Sequence, residues 1–107
     1  MDIPHISVAE VAAKRSAGED FVFLDVREHE ELVIASIEGA KHIPLGEIPS
    51  QLPMLDPEKE YVIFCHHGVR SLNVAYFLKQ QDFDNVKNMR GGIDAWSLEI
   101  DTAVSRY

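Results

Sequence analysis

The sequence predicts an α/β fold built on a mostly parallel central sheet with helices on both faces. Short apolar runs, "FVFLDV" from Phe21 and "YVIF" from Tyr61, are rich in β-branched and aromatic residues, as strands buried on both faces are. Segments with helical patterning alternate with these runs, which favours parallel strands joined through helices. The length of 107 residues and the hydrophobic content of 46% suit a single domain covering residues 1–107.

The first half of the chain predicts two helices and two strands. "ISVAEVAAKRSAGED" predicts a helix, because Ser7 and Glu10 have the spacing of a capping box. "FVFLDV" follows as a strand that ends near Asp25 and Arg27. "EHEELVIASI" predicts a short helix whose acidic first turn suits the helix dipole, and "KHIPL" predicts a brief strand.

The second half repeats the alternation after a loop. "GEIPSQLPMLDPEKE" contains three prolines and predicts a loop with one helical turn. "YVIF" then forms a strand, and we expect a helix to begin at Ser71 as its N-cap. "NVKNM" predicts a last short strand, and "RGGIDAW" predicts a glycine turn followed by a helical turn.

The only cysteine of the chain lies directly after the "YVIF" strand, in the segment "CHHGVRS". We call residues 65–70 the cysteine loop. Backbone N–H groups in a tight loop that opens into a helix attract anions, and Arg70 adds a positive charge. Such surroundings stabilise a thiolate, which is the nucleophilic form of cysteine. The residues alone therefore indicate a reactive Cys65 in an anion-binding loop; the alternative is a buried structural thiol.

Composition and charge narrow the range of partners. The net charge is −8, and the acidic excess lies in residues 1–60. Clustered Lys and Arg, as a nucleic-acid-binding face would need, are absent from the sequence. The chain has no apolar run near the roughly 18 residues of a membrane span and no visible secretory signal. With a single cysteine, we expect a cytoplasmic protein without membrane or nucleic-acid partners.

Four segments together resemble a known family. "FLDVRE", "EGAKHIPLGEI", "CHHGVRS" and "MRGGIDAW", in this order and spacing, resemble the single-domain rhodaneses, sulfurtransferases of the thiosulfate type. The resemblance runs from about Ser7 to Trp96. It implies a rhodanese-like, five-stranded parallel sheet with helices on both faces, and it makes the cysteine loop the active site.

The resemblance also implies a reaction. An anionic donor such as thiosulfate would pass a sulfane sulfur to Cys65, and the resulting persulfide would pass it to cyanide or a thiol. Cys65 and Arg70 would be catalytic, and a sulfur-carrier or desulfurase protein is a candidate partner. The other loop residues would bind the substrate: His66, His67, Gly68, Val69 and Ser71.

Several residues allow more than one interpretation. His66 and His67 either support the thiolate or contribute loop amides and face solvent. Asp25 and Arg27 are expected to form a supporting ion pair at the strand end rather than to act in catalysis. We expect neither a metal nor a cofactor, because adjacent ligands at Cys65 and the two histidines rarely converge on one tetrahedral ion.

Two other functions remain open from the sequence. A non-catalytic rhodanese-like binding or regulatory module is one, although such modules usually lack the cysteine that is present here. A cysteine phosphatase or arsenate reductase is the other. Four residues separate Cys65 from Arg70, as in rhodaneses, whereas the phosphatases use five and form a wider loop. The shorter loop favours a sulfane sulfur over a phosphate.

Overall fold

A computed structural model describes residues 2–107 and contains a five-stranded parallel sheet with helices on both faces. The strands are β1 (His5–Ile6), β2 (Val22–Asp25), β3 (Lys41–His42), β4 (Tyr61–Phe64) and β5 (Val86–Met89). The helices are α1 (Val8–Ser16), α2 (His29–Ile34), α3 (Ile48–Gln51), α4 (Val69–Gln80) and α5 (Gly92–Glu99), with 3-10 turns at Leu45–Glu47 and Leu52–Met54. The strand order is β1-β5-β4-β2-β3, and all neighbours pair in parallel, which confirms the predicted fold class.

Alternate side chains of the central strands enter two cores on opposite faces of the sheet. Leu24 and Ile63 belong to the core that α3 and α4 cover. Phe23 and Phe64 belong to the core that α1 and α5 cover, and Phe23 lies 4.7 Å from Phe64 and 5.8 Å from Trp96 between ring centroids. A strand buried on both faces needs apolar side chains on both, which is why β4, and β2 up to its last residue Asp25, consist of apolar residues.

Capping boxes begin both α1 and α2. The Ser7 hydroxyl accepts from the Glu10 N–H and the Glu10 carboxylate accepts from the Ser7 N–H, each at 3.1 Å, as the sequence predicts. At α2, Glu28 is the N-cap, and its N–H donates to the Glu31 carboxylate at 2.8 Å. This second cap fixes Glu31 in the first turn of α2.

Two local predictions were wrong or incomplete, and one strand was not predicted. Helix α4 begins at Val69 rather than with Ser71 as its N-cap, because Gly68 adopts φ 114° and turns the chain directly into the helix. The proline-rich segment after β3 forms α3 and both 3-10 turns, since proline is tolerated at the start of a helix. Strand β1, with two residues, is too short to leave a pattern in the sequence.

Within residues 2–107, no helix combines the length and apolarity needed to cross a membrane.

Candidate active site

The Cys65 sulfur lies at the carboxyl end of the central strand β4, where backbone N–H groups converge on it. The residue is buried, with 1% of its surface exposed. The N–H of Gly68 donates to Sγ at 3.1 Å, and the N–H of Ser71 donates at 3.4 Å. Both donors belong to the turn that opens α4, so their dipoles favour negative charge on the sulfur.

A buried chain of polar side chains continues from the sulfur. The Ser71 hydroxyl lies 3.3 Å from Cys65 Sγ and donates to Asn88 Oδ1 at 2.5 Å. The Asn88 amide nitrogen donates to the carbonyl of Gly68 at 3.2 Å. Sequence reasoning placed Ser71 at the site but missed Asn88, which reaches it from β5. The signal was available, because a polar amide within a buried strand needs hydrogen-bonding partners.

The start of α5 is hydrogen-bonded to the cysteine loop. The N–H groups of Ile93 and Asp94 donate to the carbonyls of Cys65 and His66 at 2.9 and 3.2 Å. A Cβ atom on Gly92 would overlap those two carbonyl oxygens, so the close approach requires glycine. The "GG" pair was predicted as a turn. It also allows the start of α5 to approach the carbonyls of the cysteine loop closely.

Arg70 is paired with a carboxylate from a distant part of the chain. Its two terminal nitrogens donate to the two oxygens of Glu31 at 2.7 and 2.8 Å. The hydrogen bonds from Arg70 lower the pKa of Glu31 to about 2, and the Glu31 carboxylate raises the pKa of Arg70. The sequence shows Arg70 without an opposing charge nearby; the structure corrects this, because α2 brings Glu31 against it.

Asp25 and Arg27 form a buried ion pair at the end of β2. Arg27 Nε donates to both Asp25 oxygens at 3.0 and 3.2 Å, and Nη2 donates to Oδ2 at 2.7 Å. Nη2 also donates to the Ala35 carbonyl at 2.9 Å. None of the Arg27 surface is exposed, and its hydrogen bonds go to groups of the protein itself. This arrangement fits the supporting role rather than contact with a substrate.

Tyr107 connects the two arginine pairs and covers one histidine of the loop. Its hydroxyl accepts from Arg27 Nη1 and donates to Glu31, both at 2.9 Å. Its ring stacks on His66 with centroids 3.8 Å apart and planes 6° apart. Burial, with a smaller effect from the neighbouring His67, lowers the pKa of His66. His67 is mostly exposed. Sequence reasoning missed Tyr107, since nothing in the local pattern links it to the loop.

The part of the chain from residue 2 onward brings no three His, Cys, Asp or Glu side chains together in the manner of a metal site. The loop instead offers one sulfur, inward-pointing N–H groups and a guanidinium at its edge. A nucleophilic sulfur in such surroundings can receive a group from an anionic donor.

Comparison with known proteins agrees with this geometry. Residues 7–99 match the family described as the rhodanese-like domain. The chain is 43% identical over 99 residues to the putative sulfurtransferase YtwF of Bacillus subtilis, covering 92% of this chain and 95% of that protein. It is 30% identical over 101 residues to the thiosulfate sulfurtransferase GlpE of Coxiella burnetii, covering 94% of this chain and 91% of that one.

The solved structures include a rhodanese-like domain protein from Staphylococcus aureus. It superposes with a TM-score of 0.85 at 30% identity, over 98% of this chain and 99% of that one. The chain therefore belongs to the rhodanese-like sulfurtransferase family.

Proposed function

We propose that the protein carries a sulfane sulfur as a persulfide on Cys65 and transfers it from an anionic donor to a thiol or cyanide. The observation that carries this proposal is the pair of N–H groups, from Gly68 and Ser71, that donate to Cys65 Sγ. They stabilise the negative charge of the thiolate that attacks the donor. The names of its relatives support sulfur transfer as the class of reaction.

The first half-reaction loads the sulfur. With thiosulfate as donor, the Cys65 thiolate attacks the outer sulfur, and the sulfur–sulfur bond of thiosulfate breaks. Sulfite leaves with the electron pair of that bond, and a new S–S bond holds the transferred sulfur on Cys65. The terminal sulfur carries the negative charge, for which further N–H groups of the cysteine loop, from His66, His67, Val69 and Arg70, are candidate donors.

The second half-reaction removes the sulfur. Cyanide or a thiolate attacks the terminal sulfur, the S–S bond to Cys65 breaks, and the Cys65 thiolate is restored. Because the chain has no second cysteine, the acceptor thiol must come from another molecule. A sulfur-carrier protein is a candidate acceptor and a desulfurase a candidate donor. The reducing cytoplasm, our proposed location, also supplies small thiols.

Arg70 is proposed to hold the anionic donor at the mouth of the loop. Its bidentate pair with Glu31 uses one edge of the guanidinium and leaves the remaining N–H groups for donor oxygens. Glu31 positions the group and also reduces the net positive charge that a donor meets. Thiosulfate, with its charged oxygens, suits a planar cation of this kind.

The test is the intact mass of the protein after incubation with thiosulfate. We expect the wild type to gain one sulfur atom and to lose it again with cyanide or a thiol, whereas Cys65→Ser gains none. A gain of sulfur by Cys65→Ser would show that a residue other than Cys65 carries the sulfur. No gain with any sulfane donor, by a folded wild type whose thiol still reacts with alkylating agents, would contradict the proposal and favour a binding module.

Hydrolysis of an aryl phosphate separates the proposal from phosphatase chemistry. We expect no appreciable turnover, because four residues between Cys65 and Arg70 form too narrow a loop for phosphate. Turnover at ordinary enzyme rates that is lost in Cys65→Ser would overturn this argument.

A further inference from the structure

Both polar atoms of the Asn88 side chain have hydrogen-bonding partners beside Cys65. The residue is 2% exposed on β5. Its Oδ1 accepts from the Ser71 hydroxyl at 2.5 Å, and Nδ2 lies 3.2 Å from the Gly68 carbonyl and 3.4 Å from His5 Nδ1. A carbonyl can only accept, so Gly68 holds the amide nitrogen on its own side and leaves the oxygen facing Ser71.

The orientation of the Asn88 amide decides what the Ser71 hydroxyl offers to the sulfur. A serine hydroxyl has one hydrogen and two lone pairs. Its hydrogen points to Asn88, so Ser71 presents a lone pair to Cys65 Sγ, 3.3 Å away. In this state the hydroxyl accepts a hydrogen bond from an S–H group and gives none to a sulfur anion.

We propose that Asn88 is a positioning residue that acts through Ser71 by competing with the Cys65 sulfur for the one hydroxyl hydrogen. While Cys65 is a thiol, Ser71 donates to Asn88 and accepts from S–H. When Cys65 is a thiolate, the hydroxyl turns from Asn88 to the sulfur. The N–H groups of Gly68 and Ser71 serve the sulfur in both states. Asn88 thereby sets how strongly the site favours the anion.

This inference deepens the proposed function and relies on it for the role of Cys65 as the sulfur carrier. The competition itself involves only the thiol and its neighbours, so it is measurable without a sulfur donor. Iodoacetamide reacts with the thiolate and reports how much of it is present and accessible. Failure of sulfur loading and failure of the competition are therefore separate results.

The test compares alkylation rates of Cys65, as a function of pH, in Asn88→Leu with and without Ser71→Ala. Leucine has a similar size and no acceptor, so the hydroxyl is left with the sulfur as its partner. We expect the rate near neutral pH to rise about fivefold, the equivalent of one ordinary hydrogen bond. In the Ser71→Ala background, Asn88→Leu should leave the rate unchanged.

Asn88→Asp provides a second variant with the opposite expected sign. The carboxylate holds the Ser71 hydrogen more strongly and adds negative charge, so alkylation should be slower than in the wild type. Asn73→Asp, the same exchange on the exposed side of α4, is the matched control and should be near wild type.

Thermal unfolding establishes that each variant is folded. An equal effect of Asn88→Leu in the presence and absence of Ser71 would overturn the proposal, as would a slower rate in that variant. Should Asn88→Leu not fold, Asn88→Asp decides alone, and a rate at or above that of the wild type contradicts the competition.

Discussion

Two arginine–carboxylate pairs lie beyond the carboxyl ends of the central strands β2 and β4, and they differ in burial. Arg27 has none of its side chain exposed and binds Asp25, two residues away in sequence. Arg70 has 35% of its side chain exposed and binds Glu31, across 39 positions of sequence. Both use the guanidinium against two carboxylate oxygens, so the chemistry of the contact is the same.

We expect the difference in burial to separate a structural from a functional role. Removing one residue of a buried ion pair leaves the other as an isolated charge in the interior, which costs several kcal/mol. A pair at the surface contributes little to stability, but its cation can still meet a ligand. We therefore expect changes at Arg27 to affect folding and changes at Arg70 to affect turnover.

The largest effect should come from Arg27→Met. Asp25 would remain buried without its partner, so the free energy of unfolding should fall by about 3–5 kcal/mol. Urea denaturation measures this. Arg106→Met breaks the exposed Arg106–Asp94 pair and is the matched control, expected to cost less than about 1 kcal/mol.

Replacing both partners of the buried pair sharpens the same test. In Asp25→Leu/Arg27→Met no charge remains buried, so the double variant should be more stable than Arg27→Met alone. A loss by Arg27→Met no larger than that of the Arg106 control would remove the distinction between the two pairs.

Arg70→Ala should show the reverse pattern. Loss of a charged hydrogen bond to the donor should lower kcat/KM with thiosulfate about ten- to a hundredfold. The free energy of unfolding should change by no more than about 1 kcal/mol, because the pair is partly exposed. Steady-state kinetics and urea denaturation of the same variant measure both quantities.

Lys79→Ala removes a cation from the far end of the same helix and serves as the control. Its turnover should match the wild type. If Arg70→Ala kept full turnover at low and moderate salt, Arg70 would not belong to the site.

These pairs also show which contacts a local sequence pattern can indicate. Cys65, Gly68 and Ser71 lie within one short segment, and Asp25 is two residues from Arg27, so local patterns brought them to one site. The partner of Arg70 is far away in sequence. The acidic first turn of α2 was explained by the helix dipole alone, and that explanation concealed the contact of Glu31 with Arg70.

The strands follow the same rule. Four of the five strands were predicted, two of them as apolar runs, whereas β1 pairs with β5 through two residues that carry no periodicity. Asn88 and Tyr107 join the site through tertiary packing of β5 and of the residues after α5. Local propensity carries no information about such contacts.

Glu31→Gln should have a smaller effect that depends on pH. Because Arg70 lowers the pKa of Glu31 from 4.5 to about 2, the ionised carboxylate stabilises the fold above about pH 4.5, and this contribution is lost as the pH falls toward 2. We expect the wild type to exceed Glu31→Gln by about 1 kcal/mol at pH 6, a value reduced for solvent exposure, and to match it near pH 2.

Urea denaturation over this range of pH measures the difference, and Glu30→Gln, the neighbouring change without an Arg70 contact, is the control. Freed from its partner, Arg70 should also bind thiosulfate more tightly, which lowers KM a few-fold at low salt. A constant difference in stability at every pH would show that the Glu31 charge is not the cause.

The smallest effects should come from Tyr107, whose hydroxyl and ring act on different partners. Tyr107→Phe removes the link between Arg27 and Glu31 and should cost about 0.5 kcal/mol in the free energy of unfolding. It keeps the stacked ring, so the pKa of His66 should stay low. Tyr107→Ala uncovers His66, and because burial is the main cause of the lowered pKa, that pKa should rise toward 6.5.

An NMR titration of the His66 ring distinguishes the two variants, with Tyr76→Ala, a change to an exposed tyrosine of α4, as the control. An equal rise of the His66 pKa in Tyr107→Phe and Tyr107→Ala would assign the effect to the hydroxyl. No rise in either would show that the ring does not shield His66. With the expected result, one tyrosine links both arginine pairs through its oxygen and lowers the pKa of a loop histidine through its ring, because a covered imidazolium lacks the solvent that would stabilise its charge.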